Sequence, residues 1–445
     1  MLKDRYGNPL STHSRSAVDK YNTALEQVRL YRGDPIATLD SAIADDPNFA
    51  MAWAARAGLL VQTTDKLYNE EVDRSLKAGL ASGGNDRERA HLTAAQAWRN
   101  GFMDEGATRF ARIAQDSPTD VLAVQNAHIG CFFLGRQQEL RDWPLQALRA
   151  FKRGDDGYAT LKGMTSFGLE ECGDFAKAED FGVEAVALEP RDAWAVHAVA
   201  HVYEMRGDVE RGIPWLRDSA HDWAPENGFA YHNWWHLALL HLDRGNAKAA
   251  IAMYDQKVNP GNEAAMILQW IDASALLWRL HLEGVDTGDR FHKLAASWER
   301  TIEDGHYAFN DLHAIMAFLG AGRRKDAERV LTTMRSAAMK DDDNAYMTRA
   351  VGIPLGEAFL AFDAGRYAET VEKIAAVRGI AQRFGGSHAQ RDVLSLTALH
   401  AALRGHLKQS AEAFASERVT HKPESPWARN LAERARKLSA AKSAA

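Results

Sequence analysis

The chain is short of the residues that mark most catalytic and structural chemistries. Its two cysteines, Cys131 and Cys172, are too few for a disulfide framework and lack metal-ligand spacing, so two reduced thiols are expected. Cys131 lies in the apolar stretch Ile129-Gly-Cys-Phe-Phe-Leu134 and reads as a small core residue. There are only 12 prolines in 445 residues, and Ala, Leu and Glu are plentiful, which favours helix. A basic excess is missing too: 54 Lys and Arg face 60 Asp and Glu, and no aromatic-interleaved cationic stripe occurs, so nucleic acid is set aside as a partner. No apolar run approaches the roughly 18 residues of a membrane span, and the charged start Met1-Leu-Lys-Asp-Arg-Tyr6 is no signal peptide. A soluble, cytoplasmic protein with no membrane partner is expected.

Familiar active-site strings are absent as well. There is no His-Glu-x-x-His helix and no Glu-x-x-His carboxylate repeat. Gly385-Gly386 is not a phosphate loop. Ser387 lacks the strand-turn-helix setting of a nucleophile elbow and reads as a turn or cap.

What the chain does have is a period. Gly101, Gly173, Gly207, Gly245 and Gly322 each close one apolar-periodic segment, and each is followed five residues later by a small residue: Gly106, Ala178, Gly212, Ala250 and Ala327. Gly135 and Gly365 fall in step but precede Leu140 and Thr370, and a missing member is expected near Gly284. A second marker, Asp46-Pro47, Ser117-Pro118 and Glu189-Pro190, recurs every two periods at spacings of 71 and 72 residues. Helix, glycine turn, helix and proline turn in about 34–38 residues is the punctuation of a tetratricopeptide repeat. The fold class predicted is all-α, an α-solenoid of tetratricopeptide-like helix-turn-helix repeats, with about eight or nine helix pairs. The expected layout is an extended segment over 1–14, one superhelical domain over 15–436 and a flexible tail over 437–445.

The histidines share this period. His197, His201 and Glu204 stand at i, i+4 and i+7, on one stripe of one predicted helix. One repeat later comes His232-Asn-Trp-Trp-His236, and two repeats further Phe309-Asn-Asp-Leu-His313. His236 and His313 each lie nine residues before their closing glycine, and His197 ten before its own. Imidazoles four apart suit shared metal ligation, proton transfer or anion binding. Trp194, Trp234 and Trp235 flank them as pocket walls or as core, and His388, Arg391 and Asp392 cluster on the first turns of a late helix.

Leu10-Ser-Thr12, Asp192-Ala-Trp-x-Val-His197-x-Val-Ala-His201-x-x-Glu204-Met, His232-Asn-x-Trp-His236, Phe309-Asn-Asp311-x-His313 and Gly385-Gly-Ser-x-Ala-Gln-Arg-Asp392 resemble the tetratricopeptide repeat protein 38 family, in order and over nearly the whole chain. The resemblance implies a tetratricopeptide fold and a shared set of polar residues: both histidine pairs, Glu204, Asn310, Asp311, His313, Arg391 and Asp392. It implies no particular reaction.

Three uses stay open on these residues. The first is a concave pocket for a small polar ligand, lined by His197, His232, Asn310, Asp311, His313, Arg391 and Asp392. In an enzyme of this kind His201 and His236 would move protons and Glu204 would orient or share them. The second is a groove that grips a peptide segment. The third is a metal-dependent enzyme in which His197, His201, His232 and His236 hold a divalent ion, the cofactor otherwise being unknown. The bland alternative is histidines packed as core.

Overall fold

The computed structural model describes residues 2–261 and 266–438. It is a succession of helix pairs. The first helices run Arg15–Leu30, Ala50–Leu60, Asp86–Arg99, Val121–Leu134, Tyr158–Glu171, Ala193–Arg206, Ala230–Asp243, Ile267–Leu282, Ala308–Gly320, Ile353–Asp363 and His388–Arg404. Each is followed by a partner, from Pro35–Asp45 to Lys408–His421, and Pro426–Arg436 comes last. The chain is a tetratricopeptide-like helical repeat, all-α as its period predicts.

The punctuation falls where the glycines place it. Gly101, Gly135, Gly173, Gly207, Gly245, Gly284, Gly322 and Gly365 all have positive φ at the turn after a first helix, the expected Gly284 among them. Asp46, Ser117 and Glu189 cap the ends of second helices just before their prolines. Eleven pairs occur among the described residues, more than the eight or nine expected. The earliest pairs escape the period because Tyr31 and Thr64 take the left-handed conformation at the helix end, with φ of 56° and 54°, and Gly33 takes it only two residues later, with φ of 66°.

The small residue early in each second helix has a packing reason. A Cβ on Gly106 would sit 3.0 Å from the Ala94 carbonyl, and one on Gly212 would sit 2.8 Å from Leu240, so these positions let helix backbones approach closely. Gly207 is constrained twice. Its φ is 73°, and a Cβ there would lie 2.5 Å from the Ser425 backbone nitrogen. Gly207→Ala is therefore expected to lower stability by about 2–4 kcal/mol, combining left-handed strain with a clash against backbone. Gly173→Ala, whose Cβ would meet nothing within 4 Å, should lose only about 1 kcal/mol. Equal losses in urea melts would refute the role given to Ser425.

The chain divides into two compact units, Met1–Val199 with Ser219–Ala230, and Ala200–Asp218 with Tyr231–Ala445. In the first, the N-terminal segment is not simply extended. Leu2–Lys3 and Pro9–Leu10 pair as short antiparallel strands. The Ser11 N–H donates to Glu88 at 2.9 Å, Asn85 and Arg87 donate to the Pro9 carbonyl, and Thr119 donates to Asn8. These bonds tie the segment to residues of the third and fourth helix pairs. The core of this unit includes Trp194, with rings of Tyr31, His128, Phe167 and Phe229 around it. Cys131 is fully buried there, and burial pushes its thiol well above the usual range, as befits a core residue.

In the second unit Trp235, Trp278 and Trp298 are fully buried. Gly385 and Gly386, with φ of 90° and 76°, lead into the His388–Arg404 helix. Ser387 is its N-cap, in a capping box with Gln390, which confirms a capping rather than nucleophilic part. Of the expected tail, residues 437 and 438 follow the last helix, and the remainder lies outside the described residues.

Candidate functional site

The second unit brings together four of the residues singled out by spacing. His201 and Glu204 lie on adjacent turns of the Ala193–Arg206 helix, and His232 and His236 lie four apart on the Ala230–Asp243 helix. All are buried, with 0% exposure for His201 and His236, 4% for Glu204 and 7% for His232. Such depth requires partners for every polar atom.

The partners are carboxylates. His236 Nδ1 lies 2.7 Å from Glu204 Oε2, and His232 Nδ1 lies 2.6 Å from Asp272 Oδ2. Each imidazole is thereby anchored through Nδ1, which turns its other nitrogen inward. The two Nε2 atoms face one another at 3.3 Å. His201 completes the group: its ring lies 4.4 Å from that of His236, and it offers a nitrogen within 4.8 Å of nitrogens from both other rings. Trp235 stacks on His232 at 5.2 Å and fixes the plane of that ring.

A second layer holds the carboxylates. Asp272 Oδ1 accepts from the Gln390 amide at 3.3 Å, and Glu204 Oε1 lies 3.5 Å from Lys422 Nζ. Lys422 is also 3.8 Å from Asp392, whose other oxygen accepts from Arg418 at 2.6 Å. Arg279, buried under Trp235, donates to the carbonyls of Ala275 and Ala389. Burial raises the Glu204 pKa, but the Lys422 charge and the His236 hydrogen bond outweigh it and hold the carboxyl at about 2. His236 is driven down to about 3, first by burial and then by His201, so its imidazole is neutral at physiological pH.

The other expected site residues are placed as follows. His197, one turn before His201, packs in the first unit among Phe167, Trp194 and Phe229. Asn310, Asp311 and His313 are buried on the Ala308–Gly320 helix. His313 Nδ1 bonds to the Phe309 carbonyl at 2.7 Å, and burial lowers its pKa to about 4. Arg391 donates to the Gly386 carbonyl. Asp392 serves the ion pairs just described. Trp234 is half-buried, with Lys257 over its ring.

Asp272, Lys422, Arg279, Arg418 and Gln390 were not among the residues expected from spacing. Asp272 left one signal: it is the sole charged residue in Ile267–Trp278 of an otherwise apolar helix, and a charge in such a run is buried only with a partner.

No known protein-family profile matches the chain. Among solved structures, a monomeric mutant of IFIT1 with Gppp-AAAA aligns over 96% of this chain and 96% of that one, at 13% sequence identity and a TM-score of 0.39. That structure carries Gppp-AAAA, so the expectation of no nucleic-acid partner is withdrawn. Net charge averages over the whole chain and does not exclude such a ligand in a helical protein. Among the described residues, no helix is long and apolar enough to cross a membrane.

Proposed function

We propose that this tetratricopeptide-like chain uses His201, His232 and His236, with Glu204 and Asp272 behind them, to hold a small polar species, and that the centre works by proton transfer. One observation carries the reading: two buried Nε2 atoms 3.3 Å apart, each on a ring whose Nδ1 is anchored to a carboxylate. With both carboxylates accepting from Nδ1–H, both Nε2 atoms present lone pairs. Lone pairs at that distance repel unless something positive or hydrogen-donating lies between them. A carboxylate behind Nδ1 also fixes the tautomer and aims the Nε2 lone pair at whatever donates to it.

His201 and His236 are the proton-transfer groups in this reading, and Glu204 orients His236. His232, Asn310, Asp311, His313, Arg391 and Asp392 are its ligand-side and supporting residues, with Asp392 acting on Glu204 through Lys422. The motifs from Leu10 to Asp392 support a finer placement beside the tetratricopeptide repeat protein 38 family, and residues 15–436 are read as one domain on their repeat period. Gripping an extended peptide calls for exposed side chains that reach its backbone, and these imidazoles are at most 7% exposed.

Histidine-selective 15N spectra of the full chain test the reading. His232 and His236 are expected as Nδ1–H tautomers, with Nε2 unprotonated or sharing one proton. Two ordinary Nε2–H tautomers would overturn it and return these residues to plain core packing.

A further inference from the structure

We propose that the species held by this centre is a divalent late-transition-metal ion, of which Zn2+ fits the donor set best, ligated by His201, His232 and His236. The proposal rests on the reading that the histidine centre holds a small species, and it names that species.

Two nitrogens bound to one tetrahedral zinc at about 2.0–2.1 Å each lie about 3.3–3.4 Å apart along the edge of the tetrahedron. The Nε2 atoms of His232 and His236 are 3.3 Å apart. A pair on one helix face, four residues apart, reaches this separation only when both rings turn the same nitrogen to one point.

Histidine ligands to zinc commonly donate their remaining N–H to a carboxylate, which sets the tautomer and aims the lone pair at the metal. Both histidines here do so, to different carboxylates on different helices: His232 to Asp272 and His236 to Glu204. The carboxylates are themselves held, Asp272 by Gln390 and Glu204 by Lys422. A core histidine needs one partner for burial. It does not need a second helix to supply a carboxylate, or a third to hold that carboxylate in place.

Three imidazoles are the first shell of a borderline-soft ion and a poor shell for Mg2+ or Ca2+, which take oxygen. His201 supplies the third nitrogen, within 4.8 Å of the other two. Three imidazoles fill three positions of a tetrahedral zinc and leave the fourth for a further donor. Zinc-bound water ionises near neutral pH, so such an ion would supply the base that the proton-transfer reading requires.

The test uses the untagged full chain, stripped with a chelator and titrated with Co2+ and then Zn2+ alone. One equivalent of Co2+ with the visible d–d absorption of a tetrahedral site, displaced by Zn2+, is expected. His232→Ala and His236→Ala should each weaken Zn2+ at least about 100-fold. Asp272→Asn, which keeps the shape and touches no ligand position, should weaken it about 10–100-fold with an unchanged circular dichroism spectrum. Less than about a tenth of an equivalent bound, or Co2+ spectra untouched by all three substitutions, overturns the metal. The tautomer measurement separates the two readings. Nδ1–H at His232 and His236 without metal uptake leaves the proton-sharing centre standing and removes the ion; Nε2–H at both removes the centre and the ion together.

Discussion

Asp392→Ala is expected to lower the stability of the protein by about 3–5 kcal/mol, measured by urea denaturation at neutral pH. The carboxylate stands between two buried cations, accepting from Arg418 at 2.6 Å and lying 3.8 Å from Lys422. Arg418 is 7% exposed and Lys422 is 3% exposed. Alanine removes the anion and leaves both cations without their main counter-charge, and unpaired buried charge is among the costliest of defects. Burial works against ionisation of Asp392, but Arg418 and Lys422 prevail and hold its carboxyl well below the usual range. A depressed native pKa adds stability above the unfolded value near 3.8 and loses it as pH falls through the lower native value. The stability gap between wild type and variant should accordingly close in acid below about pH 4. A loss under about 1 kcal/mol at pH 7 would show that Asp243 and Glu204 suffice for these cations.

Asp311→Asn should act in the opposite direction. Asp311 is 5% exposed, and its Oδ2 atom has no hydrogen-bond partner among the described residues. Burial, with the charge of Asp304 adding to it, raises the carboxyl to about 8. The folded state therefore binds this proton more tightly than the unfolded chain does. By linkage the protein loses stability steadily as pH rises from about 4 to about 8, and no further beyond. Asparagine carries no such proton. The variant should be more stable than wild type by about 3 kcal/mol at pH 7.5, with a flatter stability profile between pH 5 and 8. The bare pKa difference would allow more, and relaxation around a buried carboxyl reduces it. Parallel wild-type and variant profiles over that range would sink the assignment. A site that keeps a carboxyl with its pKa raised at this depth gives up stability for it, which is common where the group serves binding or proton transfer.

The repeat was legible because glycine is nearly alone in adopting positive φ without strain, so each turn left its mark at Gly101, Gly135, Gly173 and onward. Where Tyr31 and Thr64 take that conformation instead, composition says nothing, and those early pairs went uncounted. The imidazoles of the centre were legible for a similar reason: counting back from a turn fixes helix phase, and phase fixes face. Their supports were not. Lys422 is 218 residues from Glu204, and Gln390 is 118 from Asp272. No spacing rule relates helices so far apart in sequence, and only packing brings them together. The same limit applied to Arg391 and Asp392, adjacent in sequence and obviously polar. One binds a backbone carbonyl and the other two cations, a division that the string alone does not contain.

The bonds of the N-terminal hairpin set an order of events during synthesis. Residues 2–10 are made before the residues that hold them, since Pro9, Ser11 and Asn8 are held by Asn85, Arg87, Glu88 and Thr119. These anchors emerge 76 to 111 residues later. At roughly 5–20 residues per second, the leading segment waits many seconds before its docking surface exists. The hairpin is thus made well before it can be fastened, and it stays undocked until the chain through Thr119 has emerged.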